Sequence, residues 1–390
     1  MTQISNRLEG LVQSDIRRMS RECERVSGIN LGQGICDLPT IPELVEGATE
    51  AIASSKATYS KFEGIDLLRE KIARKIDRFN GFRVDPANEI IVTVGSTGGF
   101  AAAALATLNP GDEVILFEPY YGYHLNTLKV LGIETKFVPL QLPDWSIDFD
   151  VLRRTFTKKT RGIVVCTPSN PCGKVFTREE LENIGALCRE FNAVAFTDEI
   201  YEYIVFDGRR HLSMASLPSC RDITVTISGF SKTFSITGWR IGYVAADAAI
   251  VKPIGLVNDL FYVCAPTPLQ WGVARALDIG EEYYRNLAAD YEKKRDMTAE
   301  ALEEGGFTPY VPQGAYYMLA EIPDDFANAR EAADTLIENA RVASVPGPSF
   351  YDSSRGDRLL RFCFAKDFDA LEEACRRLRV VSRSREKVAR

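Results

Sequence analysis

Short apolar runs alternate with helical stretches over much of the chain. The run at residues 89–94, EIIVTV, stops at the glycine-rich segment GSTGG and is followed by the helical stretch FAAAALATL. A further helix is predicted to begin at Thr177, because Glu180 follows three residues later in a capping-box pattern. Apolar strands that alternate with helices indicate an α/β fold, with a mainly parallel sheet covered by helices on both faces. The other predicted strands are EVILF, IETKFVPL, GIVVC (162–166), AVAFTD (193–198) and DITVTIS (222–228).

The C-terminal third mixes helices and strands in a different way. The helical stretch YYRNLAADYEKKRDMTAEALEE leads into YYMLAEI, a helix near 327–339 and the strand LLRFCFA. This mixture predicts a smaller α+β domain beside the large sheet. The first 45 residues show no alternation of their own and are assigned to the same small domain. We therefore expect a large domain over 46–285 and a small domain formed by 1–45 and 286–390.

The composition is that of a globular protein without nucleic-acid or membrane partners. The 390 residues carry a net charge of −7, which disfavours binding to nucleic acid or anionic membranes. No apolar stretch reaches membrane-spanning length, no secretory signal pattern begins the chain, and the basic tail Arg376–Arg390 is interpreted as a solvated helix end. The nine cysteines form no CxxC pair, and the two histidines, His124 and His211, stand apart. We expect reduced thiols, no metal site and a cytoplasmic location.

Polar residues follow two predicted strands, at the edge where an open parallel sheet binds ligands. The segment 95–99, GSTGG, opens a helix, so its backbone N–H groups suit a phosphate, although such a turn is as often only structural. It matches neither GxGxxG nor GxxxxGK[ST], which disfavours NAD and ATP. Asp198 ends a predicted strand, with Tyr201 three residues later. Asp198 is either a helix N-cap or a carboxylate that faces the crevice and binds a protonated ring nitrogen.

The segment 228–243, SGFSKTFSITGWRIGY, contains a lysine in an unusual position. Most lysines are solvated, but Lys232 follows a β-branched strand, lies among Ser, Thr and Phe, and has no acid beside it. Burial would lower the pKa of its amine and make that amine a nucleophile towards an aldehyde. Arg240, eight residues later, offers the planar fork that a phosphate binds.

With these motifs the chain resembles the class I and II aminotransferases of pyridoxal-phosphate (PLP) fold type I. The similarity is strongest to the I-gamma branch, which includes bacterial aspartate and kynurenine aminotransferases. It implies a mainly parallel seven-stranded sheet with helices on both faces, plus a smaller α+β domain. The motifs fall in the family's order over nearly the whole chain: LGQGICDLP, YSKFEGIDLLREKIA, GSTGG, NPGDEVILFEPYYGY, TPSNPCGK, TDEIYEYIVF, SKTFSITGWRIGY and LLRFCFA.

The resemblance also implies a role for each residue of a site. Lys232 would carry the cofactor as a Schiff base and act as acid and base once released, while Asp198 would keep the pyridine nitrogen protonated. Tyr201 and Asn170 would hydrogen-bond the phenolic oxygen, and Tyr121 would stack on the ring unless it is a core aromatic. The substrate carboxylate would bind Arg361, Gly34 and Asn170. The phosphate would bind Ser96, Thr97, Ser231 and Arg240, together with Tyr59 from the other protomer of a homodimer.

Two positions depart from the family pattern. Many relatives carry a serine three residues before the lysine, where this chain has Gly229, so either Ser228 or Ser231 would replace that phosphate ligand. Aspartate-specific relatives of the I-gamma branch often have a lysine where Thr97 stands. Its absence argues against a preference for aspartate.

The function implied by the resemblance is a PLP-dependent aminotransferase. It would move the α-amino group of an amino acid to a 2-oxo acid, such as 2-oxoglutarate or pyruvate, by a ping-pong mechanism. PLP-dependent β-lyases, decarboxylases and cyclases use the same lysine and aspartate on this fold, so they stay open, and a non-catalytic effector-binding module is less favoured. No second arginine can be assigned to a distal carboxylate, so a neutral, aromatic or bulky amino donor is favoured. Candidate pocket residues are Tyr121, Tyr123 and Tyr316, each of which could equally be a core aromatic.

Overall fold

The computed structural model describes residues 5–9, 11 and 15–380. Short π-helical turns continue the third and eleventh α-helices over Ile76–Asn80 and Leu336–Ala340. The α-helices in this part of the chain are α1 (Asp15–Arg25), α2 (Pro42–Ala53), α3 (Asp66–Lys75), α4 (Gly95–Thr107), α5 (Gly122–Val130), α6 (Phe149–Thr155), α7 (Arg178–Phe191), α8 (Ala248–Tyr262), α9 (Thr267–Ala276), α10 (Glu281–Glu304), α11 (Ala329–Thr335) and α12 (Phe368–Leu378).

The strands of the described residues form three sheets, of seven, four and two strands. Short 3₁₀ turns lie at Asn6–Leu8, Met214–Ser216, Arg221–Ile223, Gly347–Phe350 and Ser354–Gly356. The strands are β1 (Ile29–Asn30), β2 (Ile90–Val94), β3 (Glu113–Glu118), β4 (Glu134–Pro139), β5 (Thr160–Cys166), β6 (Val194–Asp198), β7 (Thr224–Gly229), β8 (Ile241–Ala245), β9 (Thr308–Tyr310), β10 (Tyr317–Glu321), β11 (Val342–Ala343), β12 (Val345–Pro346) and β13 (Leu359–Cys363).

Seven strands form one sheet in the order β2-β8-β7-β6-β5-β3-β4. β8 runs antiparallel to both of its neighbours, and the other pairs are parallel. Alternate residues of β3 enter different apolar clusters: Ile115 and Phe117 pack with residues of α6 and α7, whereas Val114 and Leu116 pack with residues of α4, α5 and α8. Burial of both faces explains the continuous apolar runs. The predicted sheet, with helices on both faces, is confirmed.

Local sequence signals set the start of two helices beside this sheet. α7 begins after Thr177, whose hydroxyl accepts a hydrogen bond from the Glu180 backbone N–H, while the Glu180 carboxylate accepts one from the Thr177 N–H. The predicted capping box is therefore confirmed. α4 begins at Gly95, so the GSTGG segment forms its first turn, as expected.

A second sheet is antiparallel and has the order β12-β13-β10-β9. β1 pairs with β11, and α1 packs against β11 and β12. The sequence pattern did not predict α1, which is mostly polar and buries Met19 and Cys23, one turn apart. α1 and β1 thus pack on strands from the C-terminal part of the chain. The domain bounds themselves stay a prediction.

The sequence predicts no membrane-spanning helix and a basic C-terminal segment that faces water. In the described ranges no helix has the length and apolar character needed to cross a membrane. The predicted solvated helix end is helical to Leu378, where Arg376 pairs with Glu373 and Arg379 pairs with acids of α10. The rest of the basic segment, 381–390, lies outside the described residues.

Candidate active site

A cavity of about 420 Å³ opens at the carboxyl edge of the central sheet, where open α/β sheets bind ligands. Its volume lies within the range typical of cofactor and substrate sites. β5 and β6 end in its lining with Cys166 and Asp198. Tyr59, Tyr316 and the alternative phosphate ligand Ser228 lie outside this lining. The other residues predicted for the site lie in it: Gly34, Ser96, Thr97, Tyr121, Tyr123, Asn170, Asp198, Tyr201, Ser231, Lys232, Arg240 and Arg361.

Lys232 lies in the turn that follows β7, with its amine inside the cavity. Nζ donates a hydrogen bond to the Gly34 carbonyl oxygen at 3.2 Å and lies 5.9 and 5.5 Å from the ring centroids of Tyr201 and Tyr316. Burial, the largest cause, lowers the pKa of this amine below its ordinary value, and Arg240 acts in the same direction. A larger share of Lys232 is therefore an uncharged nucleophile than for a solvated lysine.

Asp198 is held by a histidine that the sequence analysis did not place in the site. Its Oδ2 lies 3.0 Å from His124 Nε2, and both side chains are buried. Oδ1 accepts a hydrogen bond from the Ile200 N–H at 3.3 Å. Residues 200–203 form turns and not a helix, so Asp198 does not precede a helix start, and the helix N-cap interpretation is wrong. One Asp198 oxygen is thus fixed by His124, at the cavity wall.

Arg361 is buried on β13 and is surrounded by aromatic and polar groups. Its Nη1 donates to Asn170 Oδ1 at 2.9 Å, and its guanidinium carbon lies 4.2 Å from the Tyr317 ring centroid. The Tyr201 hydroxyl donates to the Tyr317 hydroxyl at 3.3 Å. A Cβ on Gly34 would lie 1.8 Å from the Tyr317 hydroxyl oxygen, so only glycine fits beside this group. Tyr317 is a lining residue that the sequence analysis missed.

Arg240 closes the end of the cavity at the start of α4. Gly95 has a φ of +67°, and a Cβ there would lie 2.6 Å from Arg240 Nη2. Glycine is therefore required both for the backbone conformation and for the close approach of the guanidinium. The backbone N–H of Gly95 donates to the Arg240 carbonyl oxygen at 3.0 Å. Ser96, Thr97 and Ser231 line the same cavity.

The tyrosines predicted near the site have different positions. Tyr121 lines the cavity, stacks on Tyr123 with centroids 5.3 Å apart, and meets the His124 ring edge-on. Tyr316 is buried outside the lining and donates its hydroxyl to the Gly34 carbonyl at 3.2 Å. Tyr59 is 80% exposed and lies outside the cavity of its own chain.

The segment that follows β6 in the chain carries two buried acids that form ion pairs. Lys75 Nζ is 2.5 Å from Glu202 Oε1, and His211 Nε2 is 2.8 Å from Glu199 Oε2. Glu199, Glu202 and His211 could together coordinate a metal, since their ligand atoms lie within 4.8 Å of one another. The cation that contacts Glu202 here is the Lys75 ammonium. Burial acts to raise the pKa of Glu202, but Lys75 and His211 lower it below its usual value.

Comparison with known proteins agrees with this arrangement. The family model described as aminotransferase class I and II matches residues 26–378. The chain belongs to this family. Its enzymes act on amino acids and 2-oxo acids and use PLP.

Similar aminotransferases match along almost their full length. A relative named aromatic-amino-acid aminotransferase 2, from Thermococcus litoralis, is 32% identical, and the match covers 99% of this chain and 100% of that protein. The solved structure of N-succinyldiaminopimelate aminotransferase from Mycobacterium tuberculosis has a TM-score of 0.94 at 34% identity and covers 97% of this chain and all of that one. An Escherichia coli structure described with a methionine aminotransferase function has a TM-score of 0.93 at 30% identity, with coverage of 97% and 100%. The chain is thus an aminotransferase of PLP fold type I.

Steric crowding explains why this aminotransferase has Gly229 where many relatives have a serine. Gly229 faces Gly242 across β7 and β8, and a Cβ on Gly229 would lie 2.9 Å from the Gly242 Cα. No serine fits there. Ser228 is buried and donates its hydroxyl to Glu202 at 3.0 Å, away from the cavity, whereas Ser231 lines it. Of the two candidate replacements, Ser231 is therefore the one within reach of a ligand.

Proposed function

We propose that this aminotransferase binds PLP through Lys232 and transfers the α-amino group of an amino acid to a 2-oxo acid by a ping-pong mechanism. The observation that carries the proposal is the meeting of three groups in one cavity. These are a buried amine of lowered pKa at Lys232, a histidine-bound carboxylate at Asp198 and a buried guanidinium at Arg361.

The chemistry of the donor set fits PLP. A phosphate would bind at the start of α4, where a side chain at Gly95 would collide with Arg240 and the backbone N–H groups favour anions. The amine of Lys232 suits the aldehyde, and the carboxylate of Asp198 suits a protonated pyridine nitrogen. Arg361 Nε is buried without a partner among the described residues, so this donor is available to a ligand. The remaining phosphate ligands would be Ser96, Thr97 and Ser231.

Each residue of the site would have a separate task. Bound here, the cofactor would supply an electron sink that stabilises the negative charge left when the substrate's α-proton is removed. Lys232 would take that proton at Nζ, a step that typically accelerates a reaction ~10²–10⁴-fold. Asp198 would keep a proton on the pyridine nitrogen, and Tyr201 and Asn170 would donate to the phenolic oxygen. Arg361 would bind the α-carboxylate with its planar fork and so orient the α-carbon.

The cavity lining limits the amino donor more than the family relationship does. Those relatives are named for N-succinyldiaminopimelate, aromatic amino acids, kynurenine and aspartate, so they support no single donor. Tyr121 and Tyr123 form a stacked aromatic pair in the lining. A neutral, aromatic or bulky amino donor fits this surface best.

We also propose a cytoplasmic two-fold dimer. The C-terminal half of α8 and the residue after it expose apolar side chains, and the Tyr262 ring lies beside Gly98 in the first turns of α4. An apolar patch of this kind adjoining the site is typical of a protein interface. Tyr59, 80% exposed, would then bind the phosphate in the partner's cavity. All nine cysteines are free thiols, as in the reducing cytoplasm. The patch consists of Leu256, Leu260, Phe261, Tyr262 and Val263.

The amine half-reaction tests the proposed function. Purified enzyme loaded with PLP is mixed with one amino acid at a time, without a 2-oxo acid, and the products are separated. We expect pyridoxamine phosphate and the matching 2-oxo acid in equal amounts, with no product in Lys232→Ala. Release of ammonia, carbon dioxide or a cyclic product from every amino acid, without pyridoxamine phosphate, would instead support a lyase, decarboxylase or cyclase.

A further inference from the structure

Tyr317, the first residue of β10, lines the cavity but has no task in the proposed function. It pairs with Cys363 of β13. Leu319, two residues further along β10, pairs with Arg361. Since side chains two residues apart on a strand share a face, Tyr317 and Arg361 are diagonal neighbours within reach of each other. The sheet register therefore brings this tyrosine to the residue that is proposed to bind the substrate α-carboxylate.

The Tyr317 ring packs on the Arg361 guanidinium. The guanidinium carbon lies 4.2 Å from the Tyr317 centroid and 4.7 Å from the centroid of Phe350, and all three side chains are buried. The face of an aromatic ring attracts a cation, and this attraction is stronger where water is excluded. Arg361 also donates to the Asn170 side chain and to the Gly32 carbonyl. The rings and the two hydrogen bonds together fix the plane of the guanidinium.

The Tyr317 hydroxyl contacts the Tyr201 hydroxyl, with 3.3 Å between the two oxygens. Burial raises the pKa of both phenols above the ordinary value, so both hydroxyls keep their protons at neutral pH. One hydrogen bond between them uses only one of these two protons. When the Tyr201 proton is donated to the phenolic oxygen of the cofactor, the Tyr317 proton is available to the Tyr201 oxygen. A hydroxyl that accepts a hydrogen bond is itself a stronger donor.

The backbone holds the two tyrosines beside each other. Tyr201 lies in the turn that follows β6, and Tyr317 begins β10. The backbone N–H of Ala315 donates to the Ile204 carbonyl oxygen at 2.8 Å, so this turn is joined to the residues just before β10. Tyr317 consequently contacts one group on the cofactor side of the cavity and another on the substrate side.

We propose that Tyr317 is a positioning residue for both ligands: its hydroxyl orients Tyr201 towards the phenolic oxygen, and its ring orients Arg361 towards the substrate α-carboxylate. This inference rests on the proposed function, which supplies these two ligands. Removal of the hydroxyl alone should disturb only the cofactor side. Removal of the hydroxyl and the ring should disturb both sides, a separation that a tyrosine serving only to fill the core would not produce.

The pH titration of PLP-loaded enzyme, followed by absorbance without substrate, tests the role of the hydroxyl. A weaker donor at Tyr201 stabilises the negative phenolic oxygen less, so the Schiff base holds its proton more tightly. Loss of one hydrogen bond predicts that Tyr317→Phe raises the pKa of the Schiff base by about 0.5–1. The control is Tyr310→Phe on β9, whose hydroxyl donates to Glu321 outside the cavity, and it should leave this pKa unchanged. An unchanged pKa in Tyr317→Phe would overturn the proposal.

Binding of 3-phenylpropionate, measured by calorimetry on PLP-loaded enzyme, tests the role of the ring. This carboxylate has no amino group, so it can bind Arg361 without a bond to the cofactor. We expect Tyr317→Phe to keep the wild-type affinity and Tyr317→Leu to bind about 3–30-fold more weakly. The uncharged 3-phenylpropanamide should lose far less affinity in Tyr317→Leu. Equal losses for both compounds, or no loss for the carboxylate, would overturn the proposal.

Neither measurement needs turnover, so this inference and the proposed function fail separately. If the wild type transfers no amino group while the variants change the pKa and the affinity as predicted, only the proposed reaction fails. If the wild type transfers amino groups while Tyr317→Phe keeps the wild-type pKa, only the role of Tyr317 fails. Tyr317→Phe keeps a ring in the core and decides the outcome if Tyr317→Leu does not fold.

Discussion

Burial makes the Lys232 amine chemically useful and at the same time costs the folded protein stability. Because burial lowers the pKa of this lysine below its ordinary value of 10.5, the unfolded chain holds the lysine proton more tightly than the folded chain. Between the lowered pKa of the folded state and 10.5, the unfolded state binds more protons, so the free energy of unfolding rises with pH there. The cost is present at neutral pH and disappears as the pH rises through 10.5.

We expect the cofactor-free Lys232→Met variant to be more stable than cofactor-free wild type at neutral pH. The difference in free energy of unfolding should shrink as the pH approaches 10.5. Urea unfolding at a series of pH values measures this difference, and Lys158→Met, at an exposed lysine, is the control. A difference for Lys232→Met that does not vary with pH would contradict the assigned cost of burial.

His124 offers a second prediction, because it binds the buried oxygen of Asp198 at 3.0 Å. His124→Phe removes this partner, and a lost hydrogen bond to a charged group is worth about 1.5–3 kcal/mol. We expect kcat/KM to fall about 10–100-fold and the pH–rate profile to shift. His124→Gln, which keeps an N–H donor, should restore part of the activity. Equal kinetics for His124→Phe and wild type would show that Asp198 needs no such support.

Some of these side chains could be predicted from sequence and others could not, for a physical reason. Lys232, Asp198 and Arg361 each stand beside a strand or motif that marks them. His124 lies 74 residues before its partner Asp198, and Tyr317 meets Arg361 only because β10 pairs with β13. Their contacts depend on how distant segments pack, which no local pattern records.

At the scale of elements, the buried acids after β6 fix the segment that carries Asp198 and Tyr201. Glu202 accepts hydrogen bonds from Asn80 at 2.8 Å and Ser228 at 3.0 Å, besides its ion pair with Lys75. These partners belong to the end of the α3 region and to β7, so the turn after β6 is tied to two other elements. The pair is buried, and a single lost partner would leave a charge without compensation.

We therefore expect Lys75→Met alone to lower the free energy of unfolding by about 3–5 kcal/mol. The double variant Lys75→Met/Glu202→Leu should recover much of that loss, because it leaves no unpaired charge. Denaturant unfolding at one fixed enzyme concentration measures both. Glu202→Leu is measured alone as well. If the double variant lost as much free energy of unfolding as the two single variants lose together, the two residues would not act as a pair.

The apolar pattern predicted six strands of the central sheet and missed β8. Its sequence, IGYVA, is short and interrupted by Gly242. A Cβ at Gly242 would lie 2.5 Å from the Gly95 carbonyl carbon, so a side chain there would push away the first turn of α4. The glycine that weakens the strand signal is thus the residue that allows the proposed phosphate site to form.

At the scale of the whole molecule, the exposed apolar end of α8 predicts how activity depends on assembly. In a two-fold interface Phe261→Glu would place a carboxylate in the patch of both protomers. We expect the dissociation constant of the dimer to rise at least about 100-fold. Activity should be lost as the dimer dissociates, because Tyr59 then leaves the partner's site. Sedimentation and activity at decreasing enzyme concentrations measure this. Leu142→Glu, at another exposed leucine, is the control, and a fully active Phe261→Glu monomer would contradict the shared site.

The most direct test of the site is to identify the residue that holds the cofactor. PLP-loaded enzyme is reduced with borohydride, which fixes any bond between a lysine and a pyridoxal group, and is then digested for peptide mass spectrometry. The label should appear on Lys232, within the segment SGFSKTFSITGWRIGY, and should be absent from Lys232→Ala. A label on another lysine, or unchanged labelling and turnover in Lys232→Ala, would contradict the central assignment.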